Sequence, residues 1–197
     1  MKSPYTTPRL IGGRLAIDFV NRAKPDSLSW ESLVRFLEEV RITSVERTLR
    51  LLNLPQNDPQ SADQLLQKAR RLSTALEKIF SSVVRKEKIA RDWTEPINEI
   101  LRITEGHDEL VQQEGAWRME FVAREGGLDW LLAAIARSAA ELVAEGSNSR
   151  IRLCASENCG LFFYDNSRTQ QRRWCSMSVC GNRSKVAAFA RKHAAHA

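Results

Sequence analysis

Three features of the 197-residue sequence predict an α+β fold. A mostly helical N-terminal domain with a small β element should span residues 1–146, and a compact cysteine-bearing module residues 150–197. Most of the first part carries apolar side chains at helical spacing, one stretch near residue 120 alternates with period two, and all four cysteines fall between Cys154 and Cys180. With 43% hydrophobic residues, a chain of this length can bury a core without covalent staples. No apolar run approaches the roughly 20 residues of a membrane-spanning helix. The opening MKSPYTTPRLIGG lacks the apolar core of a signal peptide. A cytoplasmic protein without a membrane partner is expected.

The elements follow in order. RLIGGRLAIDFVN at Arg9–Asn21 mixes apolar residues with glycines and predicts one or two short strands around Gly12 and Gly13. Ser29 then caps a helix whose Trp30, Leu33, Val34, Leu37 and Val40 share a face. Thr43 and Glu46 have capping-box spacing and start the next helix, which ends before the turn formers of LPQNDPQ. Ser61 and Gln64 repeat that spacing ahead of a long helix to about Arg85. Its stripe runs from Leu65 through Leu72 and Ile79 to Val83, with Lys68, Arg71 and Lys78 on the wetter side. A shorter helix is expected at Glu95–Thr104, with Pro96 in its first turn. Trp117, Met119, Phe121 and Ala123 alternate with Arg118, Glu120, Val122 and Arg124, which predicts a hairpin about Gly115 with a half-buried second strand, closed by Gly126–Gly127. Leu128 to Val143 is again helical, Gly146 ends it, and residues 146–149 form a linker.

The cysteines read Cys154-x4-Cys159 and Cys175-x4-Cys180, fifteen residues apart. A short loop brings two thiolates to one side of an ion, and a second pair completes the tetrahedron. A disulfide pair would need an oxidising compartment. A thiol switch and an iron–sulfur cluster compete as well. Ligand number and spacing favour zinc. Four thiolates leave the ion no open position, so the site predicts one structural Zn2+ and no catalysis. Cys154 and Cys159 should form a knuckle, LFFYD a short strand, Asn166–Gln170 a hairpin, and Cys180 the start of a last helix with Val186, Phe189, Ala190 and His193 on one face. That order is treble-clef-like. Phe162, Phe163, Tyr164 and Trp174 are expected to pack on it.

The net charge of +6 is uneven. From Arg150 onward nine basic residues face two acids, Glu157 and Asp165, while residues 1–149 are near neutral. Zinc with four thiolates carries two formal negative charges, which Arg172, Arg173 and Arg183 beside the ligands can offset. Lys185, Arg191 and Lys192 exceed that need and point to nucleic-acid phosphates, against the competing reading of a plain basic surface. The candidate nucleic-acid contacts are Arg168, Arg172, Arg173, Arg183, Lys185, Arg191 and Lys192.

The composite of RRWCSM at Arg172–Met177 and CGNR at Cys180–Arg183, following LFFYD and NSR, resembles the CGNR zinc-finger family of bacterial proteins. The body is similar to the ABATE domain that usually precedes this finger. IDFVNR at Ile17–Arg22 stands for that domain's approximate LDFVNT, with Arg22 in place of the usual threonine. The resemblance implies a transcription regulator described as stress-induced, a finger that binds DNA, and Cys154, Cys159, Cys175 and Cys180 as metal ligands.

A regulator needs an input. Asp18 and Asn21, polar residues in an apolar setting, are the candidates for lining a small-molecule effector pocket. The competing reading, that they hydrogen-bond to backbone, fits the general habit of Asx residues better. Trp30, Trp93, Trp117 and Trp130 are expected in the core. Only three histidines are present: His107 in a loop, and His193 and His196 near the end. There is no phosphate-binding loop and no G-x-S-x-G, so no enzyme is expected. Two further readings compete with DNA binding. One is an RNA- or protein-binding module in which zinc is only a scaffold. The other is a ligand-binding domain on which the finger docks through Val186 and Phe189. A homodimer would suit two-fold DNA sites.

Overall fold

The computed structural model describes residues 10–103, 106–113, 116–123 and 127–194. The helical domain comprises α1 (Leu15–Arg22), α2 (Trp30–Glu39), α3 (Val45–Leu52), α4 (Leu54–Asn57), α5 (Pro59–Arg85), α6 (Glu95–Ile103) and α7 (Trp130–Ala144), with the antiparallel hairpin β1 (Gly106–Gln113) and β2 (Ala116–Ala123) between the last two. The finger adds β3 (Ile151–Leu153), β4 (Phe162–Tyr164) and α8 (Asn182–Ala194). The Gly115 turn, Gly126 and His196 lie outside the described residues. So do the side chains of His107, of β2, and of Arg191, Lys192 and His193.

The spine is α5, about 40 Å long at 1.5 Å per residue. Its Leu65, Ala69, Leu72, Leu76, Ile79 and Phe80 are buried against α1, α2, α6 and α7. It begins two residues earlier than the sequence predicts. Asp58, not Ser61, is the cap: its carboxylate accepts the Ser61 N–H at 3.0 Å, and Pro59 takes the first helical position, where no N–H is needed. The start of α3 shifts likewise. Ser44 accepts from the Arg47 N–H, while Thr43 is buried just outside. Ser29 caps α2 as expected, in a reciprocal box closed by Ser32. LPQNDPQ is not all turn, since Leu54–Asn57 makes one helical turn before Asp58. Trp30 packs against the core and donates its indole N–H to the Leu51 carbonyl at 2.7 Å.

The expected strands around Gly12 and Gly13 are replaced by α1. Five consecutive residues, Ala16 to Val20, are buried, because α1 is enclosed by α5, α7 and β4. Its polar Asp18, Asn21 and Arg22 do fall at helical spacing, but a run this short shows the period barely twice and reads equally well as strand. No side chain of Arg14 caps it; instead Ser138 of α7 accepts the Ala16 N–H at 3.2 Å.

The finger is continuous with this core. Ile151 and Phe162 belong to the same apolar cluster as α5, and the Phe162 ring meets Phe80 edge-on at 5.9 Å. Within the stretch 146–149, Gly146–Asn148 is a 3-10 turn entered through Gly146 in the left-handed region, right after the α7 cap, Glu145. Phe80 thus serves both parts at once. Replacing it with Ala should lower the free energy of unfolding by about 3–5 kcal/mol. The finger and body should still melt in one transition, measured by urea titration followed by tryptophan fluorescence and by far-UV dichroism.

Candidate metal centre

The first knuckle forms at the tip of the β3–β4 hairpin. Ile151 pairs with Tyr164 and Leu153 with Phe162, so the chain returns through the loop that carries Cys154 and Cys159. The Cys159 N–H closes onto the Ser156 carbonyl at 3.0 Å. Gly160 follows at φ +66, a turn that a β-carbon would strain. Cys175 and Cys180 come from the far side. Cys180 lies in a five-residue π-helical turn, Met177–Gly181, that feeds α8. The sequence did not foresee β3, and the hairpin expected at Asn166–Gln170 is a turn instead. The antiparallel partner of β4 is the earlier strand β3, so nothing after Asp165 is needed to pair with it.

The four sulfurs lie within 4.8 Å of one another, with Cys159 to Cys175 at 3.6 Å and Cys175 to Cys180 at 3.7 Å. A tetrahedron with zinc–sulfur bonds of about 2.3 Å has edges of about 3.8 Å. The thiols therefore fit one zinc ion with little adjustment, and no fifth ligand is called for. The Cys175 N–H donates to the Cys154 sulfur at 3.4 Å. Burial pushes the Cys154 thiol up, but N–H groups of Cys175 and Ser156 carry it below its ordinary value. Burial and the three surrounding thiols push Cys175 well up, and burial raises Cys159. Zinc needs all four as thiolates, so its binding displaces protons and acid opposes it.

Two charged side chains shape the connection between the pairs. Asp165 is fully buried, yet its carboxyl sits below the usual range. Burial would raise it, but the Ser167 hydroxyl at 2.6 Å, the Ser167 and Arg172 N–H groups at 3.0 Å, and the Arg152 charge outweigh that. The Arg172 guanidinium stacks on Phe163 at 4.7 Å and donates to the carbonyls of Trp174 and Cys175. It holds the ligand loop and is committed there. Trp174 packs against the sulfur cluster as expected. Arg168, Arg173, Arg183 and Lys185 are exposed, and Arg173 lies 5.3 Å over the Trp174 ring.

Asp18 and Asn21 bracket this finger to the body. The Asn21 amide nitrogen donates to the Phe162 carbonyl at 2.8 Å, and its oxygen accepts the Phe162 N–H at 2.9 Å. The Tyr164 N–H donates to the Gly12 carbonyl at 2.7 Å, and the Gly12 N–H donates to the Asp18 carboxylate at 2.7 Å. Burial raises the Asp18 carboxyl, and the N–H groups of Gly12, Ile11 and Gly13 hold it down in part. A side chain at Gly12 would press on Ile17 and on Asp18 at under 3 Å, so this approach requires glycine. Farther along, the Tyr164 hydroxyl donates to Glu145 at 2.9 Å, and Arg14 covers the Tyr164 ring at 4.2 Å. Both sequence candidates for an effector pocket thus make backbone contacts. A small cavity of about 70 Å³ is lined by neither of them but by Phe19, Arg22, Leu28, Leu33 and Phe36 among others. Arg22 there pairs with Glu39 of α2.

A helical domain joined through one shared core to a closed four-thiolate finger defines a two-part protein with a structural metal site. Residues 13–146, about two thirds of the chain, match the ABATE family, described as "Putative stress-induced transcription regulator", and residues 150–193 match the CGNR zinc finger. The chain belongs to the ABATE family and carries a CGNR zinc finger at its C-terminal side. No curated protein matches it.

Replacing Asn21 with Ala leaves the Phe162 N–H and carbonyl without partners. It should cost about 2–4 kcal/mol in chemical denaturation while elemental analysis still finds zinc bound, because no ligand is touched. Asp165 gives a pH signature. Its folded value is depressed, so its stabilisation is present above the unfolded value of about 3.9 and is lost as pH falls through the folded value. Asp165→Asn should therefore lower the melting temperature at pH 7, and the gap to wild type should close below about pH 4. Acid also releases zinc from both proteins, so the difference between the two curves is the quantity to follow.

Proposed function

We propose that this chain is a cytoplasmic DNA-binding transcription regulator. The zinc-held finger meets the duplex, and the helical domain receives a signal or mediates association. One observation carries the reading. Residues 166–197 contain seven lysines and arginines and no acid, and four of these cations, Arg168, Arg173, Arg183 and Lys185, are exposed. Arg172, equally basic, is spent inside the finger. Apart from Arg173, which lies over Trp174, the exposed cations stand away from the sulfur cluster's own packing, on a scaffold that the metal makes rigid. In this reading the finger binds and does not catalyse, because four thiolates close the ion to substrate. Family membership supports regulation of transcription as the setting.

Binding to duplex DNA should weaken steeply with salt, each phosphate contact adding about 0.9 to the slope of log affinity against log salt. Charge reversal of Arg183 and Lys185 together should remove about two units of that slope and weaken binding of all sequences alike. Fluorescence anisotropy over a salt series checks this, with genomic fragments selected on the purified protein as the probe pool. Unchanged affinity and slope in the double variant would remove these residues from the contact surface. Retention of single-stranded RNA in preference to duplex DNA would replace the proposal with an RNA-binding function.

A further inference from the structure

The last helix leaves the metal centre with one side buried and the other exposed at Asn182 and Val186. Gly181 is buried and Ser184 half-buried, and helical spacing puts both on one side. The opposite side carries Asn182 and Val186, with Val186 69% exposed, while Val179 in the preceding turn is 51% exposed. Among the described residues, the packing of α8 is concentrated on the π-helical turn that feeds it. Helical spacing sets Arg183 on one flank of the Val186 face and Lys185 on the other, both exposed. An apolar strip edged by cations on both sides is therefore presented on a helix of 13 residues.

The width and charge of this helix select among occupants. A second copy of the same surface would bring like charges together, which disfavours self-association. A helix about 10–12 Å across fits a major groove about 12 Å wide. There the two rims are phosphates and the floor offers the thymine methyl, the one apolar group on a base edge. Resting on the DNA-binding reading above, we propose that α8 is the base-reading element of the finger. It lies in the major groove with Val186 against thymine methyl groups and with Arg183 and Lys185 on phosphates of the two flanking strands.

The test uses the full-length, zinc-loaded protein and two duplexes about two helical turns long. One has an alternating adenine–thymine sequence. The other is identical except that uracil replaces every thymine, which removes the methyl and leaves charge and pairing unchanged. Wild type should bind the thymine duplex more tightly, by about fourfold for each methyl it buries. Val186→Ser should abolish that preference with zinc content unchanged, as befits an exposed position. Equal binding of both duplexes by wild type, or a preference that survives Val186→Ser, would take α8 out of the groove while leaving salt-sensitive DNA binding intact. Failure to bind either duplex, or any selected fragment, would overturn the DNA-binding reading itself. Sedimentation with phosphatidylglycerol vesicles in place of duplex binding would assign the face to lipid. A dimer that Val186→Ser converts to monomer would assign it to a second copy. Either result overturns the proposal.

Discussion

Both edges of β4 are filled, and the arrangement of the protein follows from that. On one edge Phe163 pairs with Arg152, while Leu161 and Asp165 bond to Cys154 and Arg150. On the other, Phe162 meets the side-chain amide of Asn21 and Tyr164 meets the Gly12 carbonyl. A side-chain amide carries the same donor and acceptor as a peptide group, so Asn21 stands in for a third strand without one being built. Each of these amides would cost about 1–3 kcal/mol if buried without a partner. The three-residue strand that holds the first pair of ligands is therefore anchored to the helical domain more firmly than its length suggests. The finger is set on the body at a defined angle, and its metal knuckle is the free end of a hairpin whose root lies in the main core.

Charge in the finger divides by the same logic. The closed site is formally anionic and is met first by backbone N–H groups, then by Arg172, whose guanidinium is fixed by a ring and two carbonyls. Asp165 is a second buried charge, and it is neutralised by hydrogen bonds rather than by a direct ion pair. A buried carboxylate with three donors in place fixes a turn whose sequence, NSRTQQ, has no regular structure of its own. Arg172 meets the needs of the ligand loop, Arg152 lends its charge to Asp165 and Arg173 lies over Trp174, while Arg168, Arg183 and Lys185 stand exposed. A sum of charges along the sequence could not make that separation; only the partners of each side chain do.

What the sequence disclosed depended on whether the signal was local. The four cysteines were legible because ligand spacing is a local property with few physical meanings. The stripe on α5 was legible because a long surface helix repeats its pattern many times. The caps were legible to within three residues: Ser61 and Thr43 have the right chemistry, but Asp58 and Ser44 are the residues that use it. The misreadings fell on short elements. Short β3 has no alternation to show, and its identity as a strand comes only from β4. Helix α1 looked like strand because eight residues repeat a helical stripe barely twice, and the glycines ahead of it suggested a strand turn.

Helix α1 is also where the body grips the finger. Asp18 holds the Gly12 loop, Asn21 holds Phe162, and Arg22 turns away to Glu39 of α2. The arginine that stands where resembling proteins carry threonine is therefore outside the bracket. It links the end of α1 to the neighbouring helix and borders the small cavity between them. A shift of α1 against α2 would move Asn21 and, with it, the root of the hairpin that bears the metal knuckle. The motif whose Asp18 and Asn21 are the sequence candidates for a ligand pocket bonds instead to the backbone of the Gly12 loop and of β4. Displacing α1 would break the two Asn21 bonds to Phe162 and the Asp18 bond to Gly12, and with them the root of the hairpin that bears the metal knuckle.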